Sequence, residues 1–354
     1  MSAPQPRLIG LATASPPHTI DQDLAAEVAA RMFQGRVFRS VDLKAIFANT
    51  GIRTRRTARP LDWYVENQGW PERNAAYLEA AGELFLQAAQ KALDQAGVAA
   101  GEIGEVVTVS STGIATPSLE ARLHGRLGLS PGVRRVPVFG LGCAGGVSGL
   151  ALAARLARAT PGKPILLVIV ELCSLSYRPD DFSKASVISA ALFGDGAAAA
   201  VVVCDDSAKG RALEAQGEQL WPDTLNIMGW RIDAAGFGVI LSAKLPEFIA
   251  ARLPGAVDGY LAKTGTDRAT VDRFVCHPGG TRVLAALEAA LGVLPGALDH
   301  ERGVLADFGN MSAPTVFFVL ERVLNADAHP GRLVMSALGP GFTGTLLTLG
   351  PAHG

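Results

Sequence analysis

Short apolar runs of strand length alternate along the chain with longer Ala-rich stretches whose apolar positions recur at helical spacing. Residues 105–109, 135–138, 165–170, 197–203, 274–276, 333–336 and 345–349 read as strands. They are close to continuously apolar, as strands covered on both faces are. Residues 74–96, 144–159, 282–291 and 313–324 read as helices whose alanines permit close approach to a sheet. Strand and helix in alternation predict an α/β protein with a largely buried sheet.

The pattern repeats. VVTVSSTG (106–113) is followed, 30 residues after Gly113, by Cys143 at the start of an apolar helix. RFVCHPGG (273–280) is followed, 30 residues after Gly280, by Asn310 at the start of another. The offset is 167 in both cases, and it also places Leu166 and Val168 on Leu333 and Met335. Each half then closes on a Gly-led apolar strand, GAAAAVVV from Gly196 and GTLLTLG from Gly344. The strand–helix–strand units of any α/β protein are the competing explanation. The reading adopted is an ancestral duplication, with residues 1–205 carrying Cys143 and residues 206–354 carrying His277 and Asn310. A chain of 354 residues also exceeds the roughly 250–300 at which one core stops growing.

Composition removes several classes of function. With 49% hydrophobic and 18% charged residues the chain has ample material for a core, so disorder is excluded. A formal net charge of −1 supplies no general attraction to a phosphate backbone, so no nucleic acid partner is expected. No apolar run reaches the ~18 residues of a membrane helix, and the opening MSAPQPRLIGLATASP is broken by Pro and Ser before a secretion signal could form. Cys143, Cys173, Cys204 and Cys276 form no CxxC pair and suggest no disulfide framework, which points to a reducing cytoplasm.

Cys143 lies in GLGCAGGVSGLALAARL, where flanking glycines allow a sharp strand-to-helix turn and close approach of a substrate. The positive end of the helix dipole is expected to lower the thiol pKa. His277 follows the strand RFVC, at the carboxyl end where α/β sites form. Asn310, in DFGNMSAP, has a sufficient structural reason as a helix cap, and its match to Cys143 in the repeat raises the functional reading. His18, His124, His300, His329 and His353 lack such settings and read as surface residues, and Cys204 as a small buried hydrophobe. FGDGAAAA and ALGPGFTG fit neither a P-loop nor GxGxxG, and no cluster has metal-ligand spacing, so the expected site is metal-free.

GCAGG around Cys143, HPGG at His277, GNMSAP at Asn310, LFGDGAAA from Leu192 and GPGF from Gly339, taken in order, resemble the type III polyketide synthases. These are the chalcone-synthase-like branch of the thiolase fold. The resemblance implies a five-layered αβαβα fold in two pseudo-symmetric halves, a homodimer, and acyl-CoA and malonyl-CoA as substrates without a further cofactor. It implies that Cys143 takes the acyl starter as a thioester. His277 and Asn310 would hydrogen-bond the malonyl thioester carbonyl and stabilise the enolate, with His277 also holding Cys143 as thiolate. Phe193 matches an aromatic gatekeeper between the coenzyme A tunnel and the cavity. Ser111, Gly279, Gly280, Ser312, Gly339, Pro340 and Gly341 match other substrate-binding positions.

Cys173 and Ser176 stand where plant enzymes carry threonines, Val239 where a second gatekeeper phenylalanine is expected, and Thr116 where plants have a methionine contributed by the partner subunit. These departures, with ARPLDWY, GWPERNAAYLE and YRPDDFSKASVISAALFGDGA, look like bacterial alkylresorcinol and alkylpyrone synthases. Such enzymes prime with long fatty acyl-CoA, add two or three malonyl units and cyclise the product. Lys44 and Arg53, with Arg55 and Arg56, are candidates for coenzyme A binding. The rival readings are a single-condensation ketoacyl-ACP synthase III, which has His-Gln-Ala-Asn where this chain has HisProGlyGly, and a silent lipid-binding protein of the same fold.

Overall fold

The residues of the strand Ile165–Leu172 divide between two apolar layers. Ile165, Leu167 and Ile169 join one core cluster, and Leu166, Val168 and Val170 join another. Period-two geometry sends successive side chains to opposite faces, so a strand covered on both sides must be apolar at every position. The same division holds at Ala198, Ala200 and Val202 against Ala197, Ala199 and Val201.

The computed structural model describes residues 4–32, 42–326 and 331–353. The first half of the chain runs β1 (Pro6–Ala14), β2 (His18–Asp21), α1 (Gln22–Met32), α2 (Leu43–Ala48), β3 (Thr54–Thr57), α3 (Leu61–Val65), α4 (Trp70–Ala96), β4 (Glu105–Val109), α5 (Leu119–Leu127), β5 (Arg134–Val138), α6 (Gly145–Ala159), β6 (Ile165–Leu172), α7 (Lys184–Leu192) and β7 (Asp195–Cys204). The second runs β8 (Gly210–Leu220), β9 (Met228–Asp233), β10 (Gly236–Leu241), α8 (Leu245–Thr264), β11 (Arg273–Cys276), α9 (Thr281–Leu291), α10 (Asp299–Phe308), α11 (Thr315–Ala326), β12 (Leu333–Gly339) and β13 (Thr343–His353).

Nine strands form one sheet in the order β11-β12-β13-β8-β1-β7-β6-β4-β5. Reading outward from the β8/β1 junction, β1, β7, β6 and β4 occupy the same places in one arm as β8, β13, β12 and β11 in the other, and β5 adds an edge. The strands matched at the offset of 167 therefore sit at matched places. Within the sheet, among the described residues, the arms pair through Arg7 opposite Ala212 and Leu8 opposite Arg211. From there they fold over two central helices: α6 (Val147, Leu150, Ala154) and α11 (Val316, Phe317, Leu320) share one core cluster with residues of both arms, among them Leu167 and Met335. Helices α4 and α5 cover the outer face of the first arm, and α8 and α9 that of the second. The result is the five-layered αβαβα arrangement of the thiolase fold. Among the described residues no helix is long and apolar enough to cross a membrane.

Candidate active site

Cys143 lies in a single tight turn, Gly142–Ala144, that leads into α6. Gly339, from the neighbouring arm, backs this turn so closely that a Cβ there would lie 2.5 Å from the Leu141 carbonyl oxygen. Only glycine fits, which is the physical content of the GPGF motif. His277 directly follows β11 and its backbone N–H donates to the Ser336 carbonyl at 2.9 Å. Asn310 follows α10 and bridges to the gatekeeper segment, its N–H donating to the Leu192 carbonyl at 2.9 Å while Gly194 N–H donates to its own carbonyl at 3.0 Å. The Asn310 side chain is fixed too: Oδ1 accepts from Ser312 N–H at 2.8 Å and Nδ2 donates to the Gly279 carbonyl at 3.4 Å. Ser312 is thereby held at a φ of 60°, a left-handed conformation rare for a residue with a side chain.

All three residues are buried and line one cavity of ≈ 800 Å³. Of the other predicted positions, Ser111, Cys173, Phe193, Val239, Gly279, Ser312 and Pro340 line it as well. Cys173, Phe193 and Val239 also line a second cavity of ≈ 790 Å³ and so form a common wall between the two. Ser176 faces only this second cavity, whose walls come from α1 (Ala25, Val28, Ala29, Met32), α3 (Leu61, Tyr64, Val65) and α7 (Ser186, Ser189, Ala190). Gly280 caps α9, and neither it nor Gly339 or Gly341 lines either cavity. Thr116 is exposed, in a loop away from both. Lys44 is exposed on α2, and Arg53 reaches out to pair with Asp307; neither touches a cavity. Arg55 is no mouth residue: it is buried and donates through Nη1 to the carbonyls of Ala190 (2.6 Å) and Phe193 (2.9 Å). His18, His124 and His300 are half-buried rather than surface-exposed and stand clear of both cavities. His329 lies outside the described residues.

The electrostatics correct one expectation. The thiol of Cys143 is not lowered by the helix; burial pushes it up to about 11, aided by the carboxyl of Glu171 and only partly opposed by the Ser312 hydroxyl. Desolvation outweighs a half-charge at the end of a helix that begins after the tight turn. Burial also pushes His277 down to about 4, and neither of its ring nitrogens has a hydrogen-bond partner. Burial therefore disfavours the charged form of both groups, which opposes the thiolate that the resemblance leads one to expect.

Glu171 was not singled out in the sequence. It is fully buried at the end of β6, and both carboxyl oxygens accept from Ser111 N–H, at 3.1 and 3.0 Å. Burial raises it to about 8, against the backbone of Ser111 and the side chain and backbone of Thr112, which hydrogen-bond it. A lone acid in the run ILLVIVEL was the available signal.

A thiol, an imidazole and a fixed carboxamide facing one buried cavity across the two arms of a thiolase fold define a condensing enzyme of that class. The chain belongs to the type III polyketide synthases: it matches the chalcone and stilbene synthase N-terminal domain over residues 3–206 and the C-terminal domain over residues 212–352. It is 39% identical to a 1,3,6,8-tetrahydroxynaphthalene synthase of Streptomyces peucetius subsp. caesius, over 95% of this chain and 91% of the relative. A putative chalcone synthase of Bacillus subtilis is 35% identical, over 96% and 97% respectively. Among solved structures, the 1,3,6,8-tetrahydroxynaphthalene synthase of Streptomyces coelicolor superimposes with a TM-score of 0.92 at 30% identity, covering 98% of this chain and 99% of that one. Members of this family transfer acyl and malonyl groups in condensation, which sets the ketoacyl-ACP synthase and silent-binder readings aside.

Proposed function

We propose that this enzyme primes with a long-chain fatty acyl-CoA, extends it with two or three malonyl-CoA units, and cyclises the product to an alkylpyrone or alkylresorcinol. The observation that carries the reading is the second, largely apolar cavity beyond Cys173 and Val239. A valine at position 239 leaves more room at this shared wall than a phenylalanine would. An acyl chain on Cys143 then has a place to lie while the growing end occupies the first cavity.

In this scheme the Cys143 sulfur attacks the acyl carbonyl, the C–S bond to coenzyme A breaks, and the thiol proton passes by way of His277 to the departing coenzyme A. Malonyl-CoA next loses carbon dioxide, and the electron pair of the broken C–C bond moves onto the thioester carbonyl, where His277 and the Asn310 amide donate hydrogen bonds to the enolate. Donors already fixed in a buried site stabilise such charge without reorganising. The enolate carbon attacks the Cys143 thioester and expels the Cys143 sulfur as thiolate, which takes up the acyl chain again from coenzyme A or a proton from water. Neutral His277 suits both tasks, since one nitrogen can accept a proton and the other donate.

The relatives named for 1,3,6,8-tetrahydroxynaphthalene favour a second reading, in which malonyl-CoA supplies every unit. Incubating purified enzyme with malonyl-CoA alone, and with acyl-CoAs from acetyl to stearoyl, separates the two by product mass. Alkylpyrones or alkylresorcinols from the long chains are expected, with Cys143→Ala making none. A naphthalene product from malonyl-CoA, with every fatty primer ignored, would overturn the first reading. The exposed loop at Thr116 supports a homodimer in which this loop meets the partner, and sedimentation at two molecular masses is the expected result.

A further inference from the structure

The wall that separates the two cavities includes a separate element. Among the described residues, strands β9 and β10 pair only with each other and form a two-stranded hairpin outside the main sheet. Val239 and Gly238 of this hairpin line the second cavity together with Cys173 and Ser176 on the turn after β6. What ties these two segments together is a pair of buried arginines. Arg178, on the Cys173 side, donates to the Asp233 carboxylate at 3.0 Å and to the Gly236 carbonyl. Arg73, on α4, donates to the Tyr177 carbonyl at 2.9 Å and to the Ala235 carbonyl. Both guanidinium groups thus grip the same hairpin turn.

This is a costly way to hold a hairpin. Burial and then the neighbouring Arg178 disfavour the charge on Arg73, and the Nε of each arginine is buried without a partner. Apolar packing would hold the turn with less desolvation, whereas directed hydrogen bonds fix its position. Arg178 itself lines the second cavity, and its Nη1 lies 3.3 Å from where a Cβ on Gly238 would stand. The Arg178 link to Asp233 and Gly236 therefore anchors the hairpin to the segment that follows Cys173 and Ser176.

We propose that Arg73, Arg178 and Asp233 act as positioning residues that set the width of the passage from Cys143 into the second cavity, and so select the length of the acyl starter. The inference rests on the long-chain starter reading above. Asp233 lines neither cavity, so Asp233→Asn removes its ion pairs with Arg178 and Arg231 without touching bound substrate. The expected result is that malonyl-CoA decarboxylation and turnover of hexanoyl-CoA stay within twofold of wild type. The ratio of kcat/KM for hexadecanoyl-CoA over hexanoyl-CoA should fall at least fivefold, through a higher KM for the long chain. Hydrogen exchange of the amides of residues 228–241 should quicken in the same variant, and Arg178→Lys, which keeps a charge but loses the forked donor, should shift the ratio in the same direction.

An unchanged chain-length ratio overturns the proposal, whether or not the hairpin amides exchange faster. A wild type that turns over no long-chain acyl-CoA instead removes the starter reading. The clamp is then judged on products made from malonyl-CoA alone, whose length distribution Asp233→Asn must shift for the clamp to stand.

Discussion

A carboxyl group that nothing exposes to water, as at Glu171, makes stability depend on pH. Its pKa is about 8 in the folded protein against 4.5 for the free side chain. A raised acid contributes its full stability below the unfolded value and loses it as pH climbs through the folded value. The penalty at pH 7 is therefore on the order of 3 kcal/mol. Glu171→Gln keeps an oxygen for Ser111 N–H and carries no charge. It should flatten the fall in urea midpoint between pH 5 and pH 8 that wild type shows, and equal slopes for the two proteins would refute the assignment. The burial responsible also explains why Cys143 behaves unlike its sequence context. Gly-Cys-Ala-Gly-Gly ahead of an apolar helix announces a nucleophile correctly, but the local pattern says nothing of the carboxyl brought close to it by β6, or of the desolvation imposed by both arms. Dipole reasoning works along the chain, and desolvation is a property of what folds over it.

At the level of elements, legibility followed burial. The predicted strands at 165–170 and 197–203 are buried at every position, where composition alone separates strand from loop. The edge strand β5 and the outer helix α4 were read despite exposed positions, but several elements with a wet face were missed. The second half of β8 is half-buried to exposed, β9 runs through Arg231 to Asp233, and α8 carries Pro254 in its interior. The hairpin β9–β10 matters most among them, since it brings Val239 to the cavity, and only the family resemblance singled that residue out. The central helices show the opposite case. α6 and α11 cross so closely that a Cβ on Gly146 would lie 2.4 Å from the Ala313 carbonyl oxygen and 3.2 Å from the ring of Phe317. Phe317 is fully buried there, so Phe317→Ala leaves a cavity that this tight crossing has little freedom to collapse. A loss of about 3–5 kcal/mol in urea unfolding is expected, with reduced turnover because α6 carries the Cys143 turn. A loss under 1 kcal/mol would mean the crossing relaxes.

The whole molecule adds what no single motif contains. Duplication visible at an offset of 167 becomes two arms around shared central helices, and the site exists only because Cys143 comes from one arm while His277 and Asn310 come from the other. The second cavity has a different origin. It lies under α1, α3 and α7, segments with no counterpart in the repeat, so the family resemblance named residues on its border, Cys173, Phe193 and Val239, while the cavity itself was not legible in the sequence. Its far wall offers a test that leaves the chemistry alone. Ala29 faces this cavity from α1, well beyond the partition, and its small side chain leaves the space open. Ala29→Trp would fill part of it with a ring and should shorten the longest chain accepted. The expected outcome is at least a tenfold drop in kcat/KM for hexadecanoyl-CoA, with acetyl-CoA and malonyl-CoA turnover within twofold of wild type. Because only a chain that reaches α1 can feel the ring, equal losses for short and long starters would indicate a folding defect. No loss for either would mean that acyl chains never enter this space, leaving malonyl-only synthesis as the reading that survives.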